Sequence, residues 1–564
     1  MHVRIVLVSL LLPVTLSAQT LQSRNVATLQ RFISALSEEE RLPVKCGLSA
    51  AMAYRQYAAD LPAEQRSRLQ SVMQRPSLAH SYVSSGGHFR IHYDTEGPHA
   101  VDPKSTNPDG VPDYVYEAAR AAERSYFLLV DSLGFRPHIP DDGEHGPEYD
   151  IYILHLGNVY GWTFSEKQVS QNPVRYSSYM QVDNDFVGGY FSKGLDGLRV
   201  TVAHEYFHAI QFAYAYKNED LFFFEMSAVW FEDVAFDSIN DYLQYLPSFF
   251  RELDRPLHLR NDWHEYGSVL WLKYWLQDRD YRSLRRMWEG LEVRPALEAI
   301  KQEVEQQGIL FPEAIAEFYS WCLYTGTRAV PGRYFEEAAF YPTISIPPQR
   351  LIEMTGDTLI VDSLQALAAR FFQVNVDPTQ NFSAILNTPS PATWRIIGAS
   401  ETLSGELNDA VLRQGPTPLL LKAVENEGKI YVAAVNGGLP DDLQQSAELL
   451  PRETYELNLS LRVFGDFSEG LLPPRPNPFI VRENTSLSVL YSLEESAEVE
   501  LAILDERGIP VLRRRIGLKP EGLNQFVWDG RNENGEQVPS GIYLVLLHTS
   551  SGVQSVKKVA VIRP

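Results

Sequence analysis

The stretch Val202-Ala203-His204-Glu205-Tyr206-Phe207-His208-Ala209-Ile210 carries the strongest structural signal in this chain of 564 residues. Apolar residues recur around it at helical spacing, and no Gly or Pro interrupts residues 198–216, which predicts a buried helix. Histidines four positions apart lie on the same face of a helix, and Glu205 stands between them. An H-E-x-x-H arrangement on a helix predicts half of a zinc site together with a general base.

A catalytic zinc site takes three protein ligands and keeps its fourth position for water, so a third ligand is expected downstream. The segment 224–233 is apolar except for Ser227 and its acids, of which Glu225 is the natural ligand. Since a buried unpaired carboxylate is costly, the aromatic flanks of Glu225 favour a ligand over a solvent-facing acid. Glu232 returns to nearly the same helix face seven residues later. It is predicted to accept a hydrogen bond from a ligand imidazole, and it is the reserve third ligand.

These residues resemble the motifs of the gluzincin metallopeptidases, in which H-E-x-x-H is followed by a helix bearing E-x-x-A, here Glu225 to Ala228. In the aminopeptidase branch of that group a second Glu stands seven residues after the ligand Glu, as Glu232 does. The chain is also similar to secreted bacterial metalloproteases of the type first named from myxobacteria, through G-H-F-R-I-H-Y (87–93), G-V-P-D-Y-V (110–115) and Y-G-S-x-L (266–270). The resemblance implies a zincin-like domain of α+β fold that binds Zn2+ through His204, His208 and Glu225.

The predicted chemistry is the hydrolysis of peptide bonds by a zinc-activated water, with Glu205 as general base. A tetrahedral oxyanion also needs a hydrogen-bond donor, and His264 and Tyr266 are the two candidates. The resemblance favours Tyr266, because a catalytic Tyr opens a similar helix in the aminopeptidases. The alternative, in which Tyr266 only anchors the aromatic face of the following helix, stays equally open.

The substrate class is predicted from residues 176–182. The aminopeptidases carry an acid there that binds a free amino terminus, whereas this chain has Gln181, which cannot pair with an ammonium group as a carboxylate does. Tyr176 to Val182 is expected to be an edge strand that pairs with an extended peptide in the cleft. These features predict an endopeptidase acting on a protein or peptide substrate. An aminopeptidase and a non-enzymatic surface binding protein that retains the zinc site are the alternatives.

Charge and the N-terminal residues bear on location. The net charge of -22 argues against a nucleic-acid-binding surface. Residues 1–18 contain Arg4, a short apolar run and Leu16-Ser17-Ala18, which together predict a signal peptide cleaved before Gln19. No later stretch is apolar for 18 residues, so no transmembrane segment is expected. The expected location is therefore secreted or on the cell surface, after export across the outer membrane.

Residues 19–85 are predicted to form a helical N-terminal region, which is a candidate propeptide. It contains Cys46, which could pair with Cys322 in a disulfide. A thiolate from Cys46 could instead bind zinc and block the water position, since residues 43–47 faintly resemble the cysteine switch of matrix metalloproteases. Packing or a simple disulfide is the favoured interpretation.

A second metal candidate precedes the zinc helix. Asn107, Asp109 and Asp113 place oxygen atoms at alternate positions around Gly110, as calcium loops do, so Ca2+ is a further candidate cofactor. The favoured alternative is an Asp-Gly turn that enters a helix from Tyr114 to Leu129, with Asp113 as its N-cap.

Beyond Pro342 the helical periodicity gives way to alternating strands. The predicted order is a metalloprotease domain at 86–345, a β-sandwich at 346–466 and an Ig-like domain at 467–564. The predicted fold class is thus a multidomain chain, in which two all-β sandwich (Ig-like) domains follow an α+β zincin-like metalloprotease domain.

The last domain resembles the Ig-like domains of flagellar hook-capping proteins and the C-terminal sorting domains of the type IX secretion system. The likeness lies in residues 528–531 and 540–543 and in the turns between them. Trp528 and Tyr543 are expected to face the sandwich core. The resemblance implies the secretion machinery as a partner of this domain.

Overall fold

A computed structural model of the protein describes residues 4–7, 18–37, 43–143, 145–377, 380–402, 405–422, 428–440, 443, 447, 450–463, 470–472, 474, 477–481, 486–493, 495–520, 522–552 and 554–563. Within these residues the chain forms an α+β region followed by two regions of paired β-sheets. Most of the predicted signal peptide lies outside the described residues, and its cleavage stays a prediction.

The α+β region combines a mixed sheet with helices on both of its faces. The chain begins with β1 (Arg4–Leu7), which pairs within the β-sandwich of the second region. The N-terminal elements of the α+β region are α1 (Ala18–Leu36), β2 (Val44–Cys46), α2 (Leu48–Tyr57), α3 (Ala63–Val72) and β3 (His80–Val83). They are followed by β4 (Phe89–Tyr93), α4 (Asp113–Tyr126), β5 (Tyr149–Leu154), β6 (Val159–Gln171), β7 (Val174–Asp183), α5 (Gly194–Phe212) and α6 (Leu221–Ala235). The region ends with α7 (Leu246–Arg251), α8 (His264–Gly267), α9 (Val269–Leu276), α10 (Arg282–Leu291), α11 (Ala296–Gln306) and α12 (Phe311–Trp321).

The strand order of this sheet is β2-β6-β7-β5-β4-β3. Strands β6 and β7 form a long antiparallel hairpin, while β5 pairs in parallel with both β7 and β4. The two outer strands, β2 and β3, both come from residues 19–85. The predicted boundary at residue 85 is therefore not a structural boundary, because the N-terminal region contributes both edges of the sheet.

The two faces of the sheet are covered by different layers, which explains why β5 is buried along its whole length. Ile151, Met180 and Val182 share one core with residues of α4 and α5. Alternate residues such as Tyr152 and Trp162 share a second core with α1, α2 and α3. Helix α5 thus lies on the opposite face of the sheet from helices α1 and α3.

The prediction that Tyr176 to Val182 is an edge strand is wrong for its second half. Residues 180–182 of β7 pair with β6 on one side and with β5 on the other, whereas residues 176–179 pair with β6. The alternating side chains of this segment are typical of a strand, but strand order depends on long-range pairing that such a pattern does not specify. On its other side β6 pairs with β2.

The second region is a β-sandwich. Its strands are β8 (Leu351–Glu353), β9 (Thr358–Leu364), β10 (Ala368–Asn375), β11 (Gln380–Asn387), β12 (Trp394–Ser400), β13 (Val411–Gln414), β14 (Leu419–Lys422), β15 (Lys429–Asn436) and β16 (Glu453–Val463). They form two sheets of order β1-β9-β16-β11-β14 and β13-β12-β15-β10-β8. Trp394, Phe372 and Leu457 lie in the core between the sheets. Two packed β-sheets thus occur in the part of the chain where the sequence predicts a β-sandwich.

The third region is a smaller sandwich with a core of its own. Its strands are β17 (Gly470–Leu471), β18 (Phe479–Ile480), β19 (Leu487–Leu493), β20 (Ala497–Leu504), β21 (Pro510–Lys519), β22 (Gly522–Trp528), β23 (Gly541–Thr549) and β24 (Gln554–Ile562). They form sheets of order β17-β19-β22 and β18-β24-β23-β20-β21. Trp528 and Tyr543 are both buried in the core, which confirms the prediction for these two residues.

Candidate metal centre

Two buried helices position the candidate ligands. Helix α5 carries the H-E-x-x-H motif and is buried from Val200 to its end, because it packs between the sheet and α6. Helix α6 is almost wholly buried, so the carboxylates of Glu225 and Glu232 are both enclosed in protein. Seven residues make nearly two helical turns, which directs both carboxylates toward α5.

Four donor atoms converge on one point. Nε2 of His204 lies 3.1 Å from Nε2 of His208 and 3.1 Å from Oε2 of Glu225. Oε2 of Glu225 lies 3.6 Å from Nε2 of His208, and Sγ of Cys46 lies 3.3 Å from the same nitrogen. All four ligand atoms lie within 4.8 Å of one another, and all four residues are buried. The structure thus brings the three predicted ligands together and adds a thiol.

The spacing fits a tetrahedral zinc ion. Donors bound at about 2.1 Å, at the tetrahedral angle, stand about 3.4 Å apart, and a sulfur at about 2.3 Å stands slightly farther away. The four contacts between 3.1 and 3.6 Å match this expectation. Cysteine, histidine and carboxylate are also the donor types that zinc accepts. The residues present therefore fit the metal that the motif implies.

The Nδ1 atoms of both imidazoles already form hydrogen bonds with other side chains. Nδ1 of His204 donates a hydrogen bond to Oε1 of Glu232 at 2.7 Å, and Nδ1 of His208 donates to Oε1 of Gln211 at 2.7 Å. The Gln211 amide is oriented by its own donors, which bond the carbonyl of Phe224 and the hydroxyl of Ser227. Each ring therefore directs Nε2 inward, as a metal ligand requires. Glu232 occupies the supporting position rather than that of the third ligand.

The electrostatics of the cluster favour a cation. Burial disfavours charge on Glu225, but hydrogen bonds from His204 and His208 outweigh it and lower the pKa of Glu225 to about 2. Burial also opposes protonation of His204, while Glu225 and Glu232 raise its pKa to about 9. The carboxylate is thus anionic, and a proton on His204 is what a bound metal ion displaces.

Glu205 lies beside the ligands on the same helix. Its Oε2 accepts a hydrogen bond from the Thr163 hydroxyl on β6 at 2.9 Å, whereas its buried Oε1 has no hydrogen-bond partner among the described residues. Burial raises the pKa of Glu205, as suits a group that must take and return a proton. Gly161 permits this approach, because a Cβ there would stand 2.7 Å from Cγ2 of Thr201 and 3.2 Å from Cγ of Glu205.

The disulfide alternative for Cys46 is wrong, because Cys46 and Cys322 are both free thiols, and Cys322 lies at the end of α12 beside the carbonyl of Phe318. The packing alternative agrees with the structure, since Cys46 is fully buried in the core. From β2 the sulfur of Cys46 also reaches the candidate ligand cluster. Burial raises the pKa of the Cys46 thiol, and so do the carboxylates of Glu205 and Glu225. A bound dication reverses this effect, because a coordinating thiol is deprotonated.

Lys45 is a residue of the centre that the sequence analysis missed. Its Nζ lies 2.9 Å from Oε2 of Glu232 and 2.7 Å from Oδ2 of Asp241, with all three side chains buried. Burial opposes the charge on Lys45, but Asp241 and Glu232 raise its pKa. Lys45 therefore joins β2 to the carboxylate that orients His204. The sequence signal that could have revealed Lys45 is a single charged residue within residues 42–47, which are otherwise uncharged.

The two predicted oxyanion donors differ in position. Tyr266 is buried on α8 with its ring 6.5 Å from that of His204, and Glu225 and Cys46 act on its hydroxyl electrostatically. His264 packs instead against the ring of Phe249 at 4.9 Å and lies 3.4 Å from Glu252. Residues two positions apart on a helix point about 200° apart, so His264 and Tyr266 lie on different sides of α8. Only Tyr266 is brought to the ligand cluster.

Gln181 does not face the candidate ligands. It accepts a hydrogen bond from the indole of Trp162 at 2.7 Å, on the sheet face covered by the N-terminal helices. Period-two alternation places Met180 and Val182 toward α5 and Gln181 away from it. The inference of substrate class from Gln181 therefore has no geometric basis.

The candidate calcium residues form a hydrogen-bonded turn. Asp113 accepts bonds from the backbone of Thr106 at 2.7 Å and from the amide of Asn107 at 2.9 Å, and these bonds lower its pKa. Asp109 accepts a bond from Tyr82. These contacts support the turn rather than a calcium loop.

The helix after this turn differs slightly from its predicted bounds. Asp113 is the first residue of α4 and Pro112 is its N-cap, so the predicted N-cap is wrong by one residue. Helix α4 ends at Tyr126, and a π-helical turn, Phe127–Ser132, follows it.

Two other acidic or histidine clusters occur within the described residues, and each already contains a cation. Asp150, which contacts His92, is also paired with Arg75. Asp233 and Glu337 are both bound by Lys273, at 2.6 and 2.9 Å. Since a guanidinium or ammonium group already compensates these acids, they are ion-pair networks. The Cys46, His204, His208 and Glu225 cluster differs in having no such cation among its four members.

Comparison with known proteins bears on the C-terminal region. Residues 480–552 match the family described as FlgD Ig-like domain. Similar solved structures include PorZ of Porphyromonas gingivalis, described as an essential bacterial surface component of the type-IX secretion system. It is 21% identical over 19% of this chain and 14% of PorZ, with a TM-score of 0.14. FlgD of P. aeruginosa is 21% identical over 17% of this chain and 74% of that protein, also with a TM-score of 0.14.

CopC from Methylosinus trichosporium OB3b is 17% identical over 17% of this chain and 95% of that protein, with a TM-score of 0.12. No curated protein matches the chain significantly. The chain spans about one seventh of PorZ, and each of these likenesses involves a minor part of the chain. Among the described helices, none has the length and apolar character needed to cross a membrane. The family match assigns residues 480–552, near the C-terminus, to a FlgD Ig-like domain.

Proposed function

We propose that the protein is a secreted zinc endopeptidase of the gluzincin kind. The observation that carries this proposal is the convergence of His204, His208 and Glu225 on one point, with the Glu205 carboxylate beside them. Three nitrogen and oxygen ligands from two helices are the protein share of a catalytic zinc site. A purely structural metal site has no use for a neighbouring carboxylate with an unpaired buried oxygen.

The roles of the residues follow from their positions. A bound zinc ion supplies a Lewis acid that polarises a carbonyl group and lowers the pKa of water. Oε1 of Glu205 accepts the proton of the attacking water, while the Thr163 hydroxyl holds Oε2 in place. The water oxygen bonds to the carbonyl carbon, the C–N bond breaks, and Glu205 returns its proton to the leaving amine. The Tyr266 hydroxyl is the candidate donor to the oxyanion.

The cleft supports an endopeptidase over an aminopeptidase. Strand β6 pairs with β2, and once β2 is displaced β6 becomes the edge of the sheet, to which an extended peptide can add through backbone hydrogen bonds. The chain's own residues 43–47 run along this edge as an internal segment. The cleft thus accepts a peptide that continues in both directions, with no need for a free amino terminus.

The test compares two variants in which Cys46 no longer reaches the fourth ligand position, Cys46→Ala and Cys46→Ala/Glu205→Gln. Zinc content and hydrolysis of casein are measured for residues 19–564 of each. We expect one zinc per chain in both proteins and a rate about 10²- to 10⁴-fold lower without Glu205. Zinc without hydrolysis in either protein would favour the non-enzymatic binding protein. Absence of zinc from both would refute the metal centre.

A second measurement separates the two kinds of peptidase. Peptides with a free and with an acetylated amino terminus are offered to Cys46→Ala. An endopeptidase cleaves both at internal bonds, whereas loss of cleavage on acetylation would identify an aminopeptidase.

We also propose that the C-terminal domain directs export or surface attachment. The match of residues 480–552 to the FlgD Ig-like domain supports an Ig-like module there, and its separate core supports a role independent of the metal centre. Expression without residues 467–564 in a host with a type IX secretion system tests this. Retention inside the cell of an otherwise zinc-loaded protein is expected. Unchanged secretion would refute the sorting role.

A further inference from the structure

We propose that residues 43–47 are an internal inhibitor, in which Cys46 is the fourth zinc ligand and strand β2 occupies the substrate edge of the sheet. The protein is then latent until this segment, named here the strap, is displaced. The inference rests on the proposed endopeptidase function and adds its regulation.

The Cys46 sulfur lies at the ligand cluster. Sγ lies 3.3 Å from Nε2 of His208 and within 4.8 Å of the ligand atoms of His204 and Glu225, so it supplies a fourth donor. The backbone N–H of Leu48 donates to the sulfur at 3.3 Å, which stabilises a thiolate. A zinc site with four protein ligands is closed, whereas a catalytic site keeps one position for water. Cys46 therefore holds the position that hydrolysis requires.

The proposed general base lies at the same cluster as the thiol. Glu205 follows His204 directly on α5, and Sγ of Cys46 lies 3.3 Å from Nε2 of His208 on that helix. Oε1 of Glu205 is buried and has no hydrogen-bond partner among the described residues. A permanently closed structural site would not require this carboxylate, because an unsatisfied buried oxygen is costly. An inhibited catalytic site does require it.

The backbone of the strap occupies hydrogen-bond acceptors of β6. The N–H of Val44 donates to the carbonyl of Asn158 at 2.8 Å, and the N–H of Gly47 donates to that of Gly161 at 3.0 Å. A substrate strand added to β6 would need these same carbonyl groups. Binding of the strap and binding of substrate at this edge are therefore mutually exclusive.

Ion pairs and packing also hold the strap, in addition to the proposed bond between Cys46 and zinc. Lys45 forms the buried ion pairs with Glu232 and Asp241. Gly47 lies so close to Trp162 that a Cβ would stand 2.5 Å from Cε3 of the indole. On its other side, a narrow cleft lined by residues including Pro43, Cys46 and Tyr266 separates the strap from α8. Strand β3 pairs with β4 at the opposite edge of the sheet. To expose β6, only the strap has to move away from it, and the rest of residues 19–85 can remain in place.

The experiment compares zinc-loaded wild type, Cys46→Ala and the matched control Cys322→Ser, which removes the other buried thiol. Casein hydrolysis is measured with and without an organomercurial that captures thiols. If the open form is about 1% populated, wild type and Cys322→Ser hydrolyse about 100-fold more slowly than Cys46→Ala. The organomercurial is expected to activate the first two proteins and to leave Cys46→Ala unchanged.

A spectroscopic measurement tests the ligand without activity. Replacement of zinc by Co2+ is expected to give a thiolate-to-cobalt charge-transfer band in wild type and Cys322→Ser, and no such band in Cys46→Ala. The wild-type spectrum remains decisive even where Cys46→Ala fails to fold. A cobalt-loaded wild type without the band would overturn the inference.

The outcomes separate this inference from the proposed function. Equal hydrolysis by wild type and Cys46→Ala would overturn latency and leave the endopeptidase standing. A thiolate band in wild type, with zinc-loaded Cys46→Ala inactive, would refute the endopeptidase and the latency together, and would retain Cys46 only as a structural ligand.

Discussion

Replacement of Lys45 by Met is expected to destabilise the α+β region strongly, because it leaves two carboxylates buried without their cation. The side chains of Lys45, Glu232 and Asp241 are 1%, 3% and 0% exposed. Removing one partner of a buried ion pair costs about 3–5 kcal/mol. For a region of this size about 1 kcal/mol lowers Tm by about 2–4 °C, so we expect a loss of about 6–20 °C.

Calorimetry measures the Tm of the α+β region, which shares a hydrophobic core with residues of the first β-sandwich. The matched control is Lys301→Met, since Lys301 is 42% exposed and lies 3.9 Å from Glu305; its loss should change stability by less than about 0.5 kcal/mol. A Tm within 2 °C of wild type at neutral pH would refute this account of how the strap is held.

Four further predictions concern other parts of the chain. Gln211→Leu should weaken zinc binding about 10- to 100-fold in chelator competition, because it removes the acceptor that orients His208. Burial raises the pKa of Asp220 to about 7, so its folded form retains a proton that the unfolded form loses; stability should fall from about pH 4 to 7, and Asp220→Asn should remove that slope in urea denaturation. Gly161→Ala should cost about 1–3 kcal/mol by the same measurement, since its Cβ would approach Cγ2 of Thr201. Deletion of residues 467–564 should leave zinc affinity unchanged, and a weaker affinity would show that the C-terminal core is not independent.

Local patterns predicted the parts of this protein that depend on residues near one another in the chain. The apolar stripe around the H-E-x-x-H motif predicted α5, and the seven-residue spacing of Glu225 and Glu232 placed both acids on one face of α6. The alternating strands beyond Pro342 likewise predicted two sandwiches, and the burial of Trp528 and Tyr543 followed. Helical and strand periods are set by backbone geometry, so a short stretch of sequence is enough to reveal them.

Long-range pairing was decided by the tertiary structure alone. Nothing local to Met180–Val182 shows that β5 pairs along its outer side, and nothing local to Cys46 shows that His208, 162 positions later in the chain, lies in contact with it. Strand order and convergence of side chains follow from which surfaces bury the most apolar area together, and that depends on the whole chain. The sequence by itself therefore predicted three candidate zinc ligands and a candidate base. Only the fold decided that a thiol and an edge strand from the N-terminal region lie at the same site.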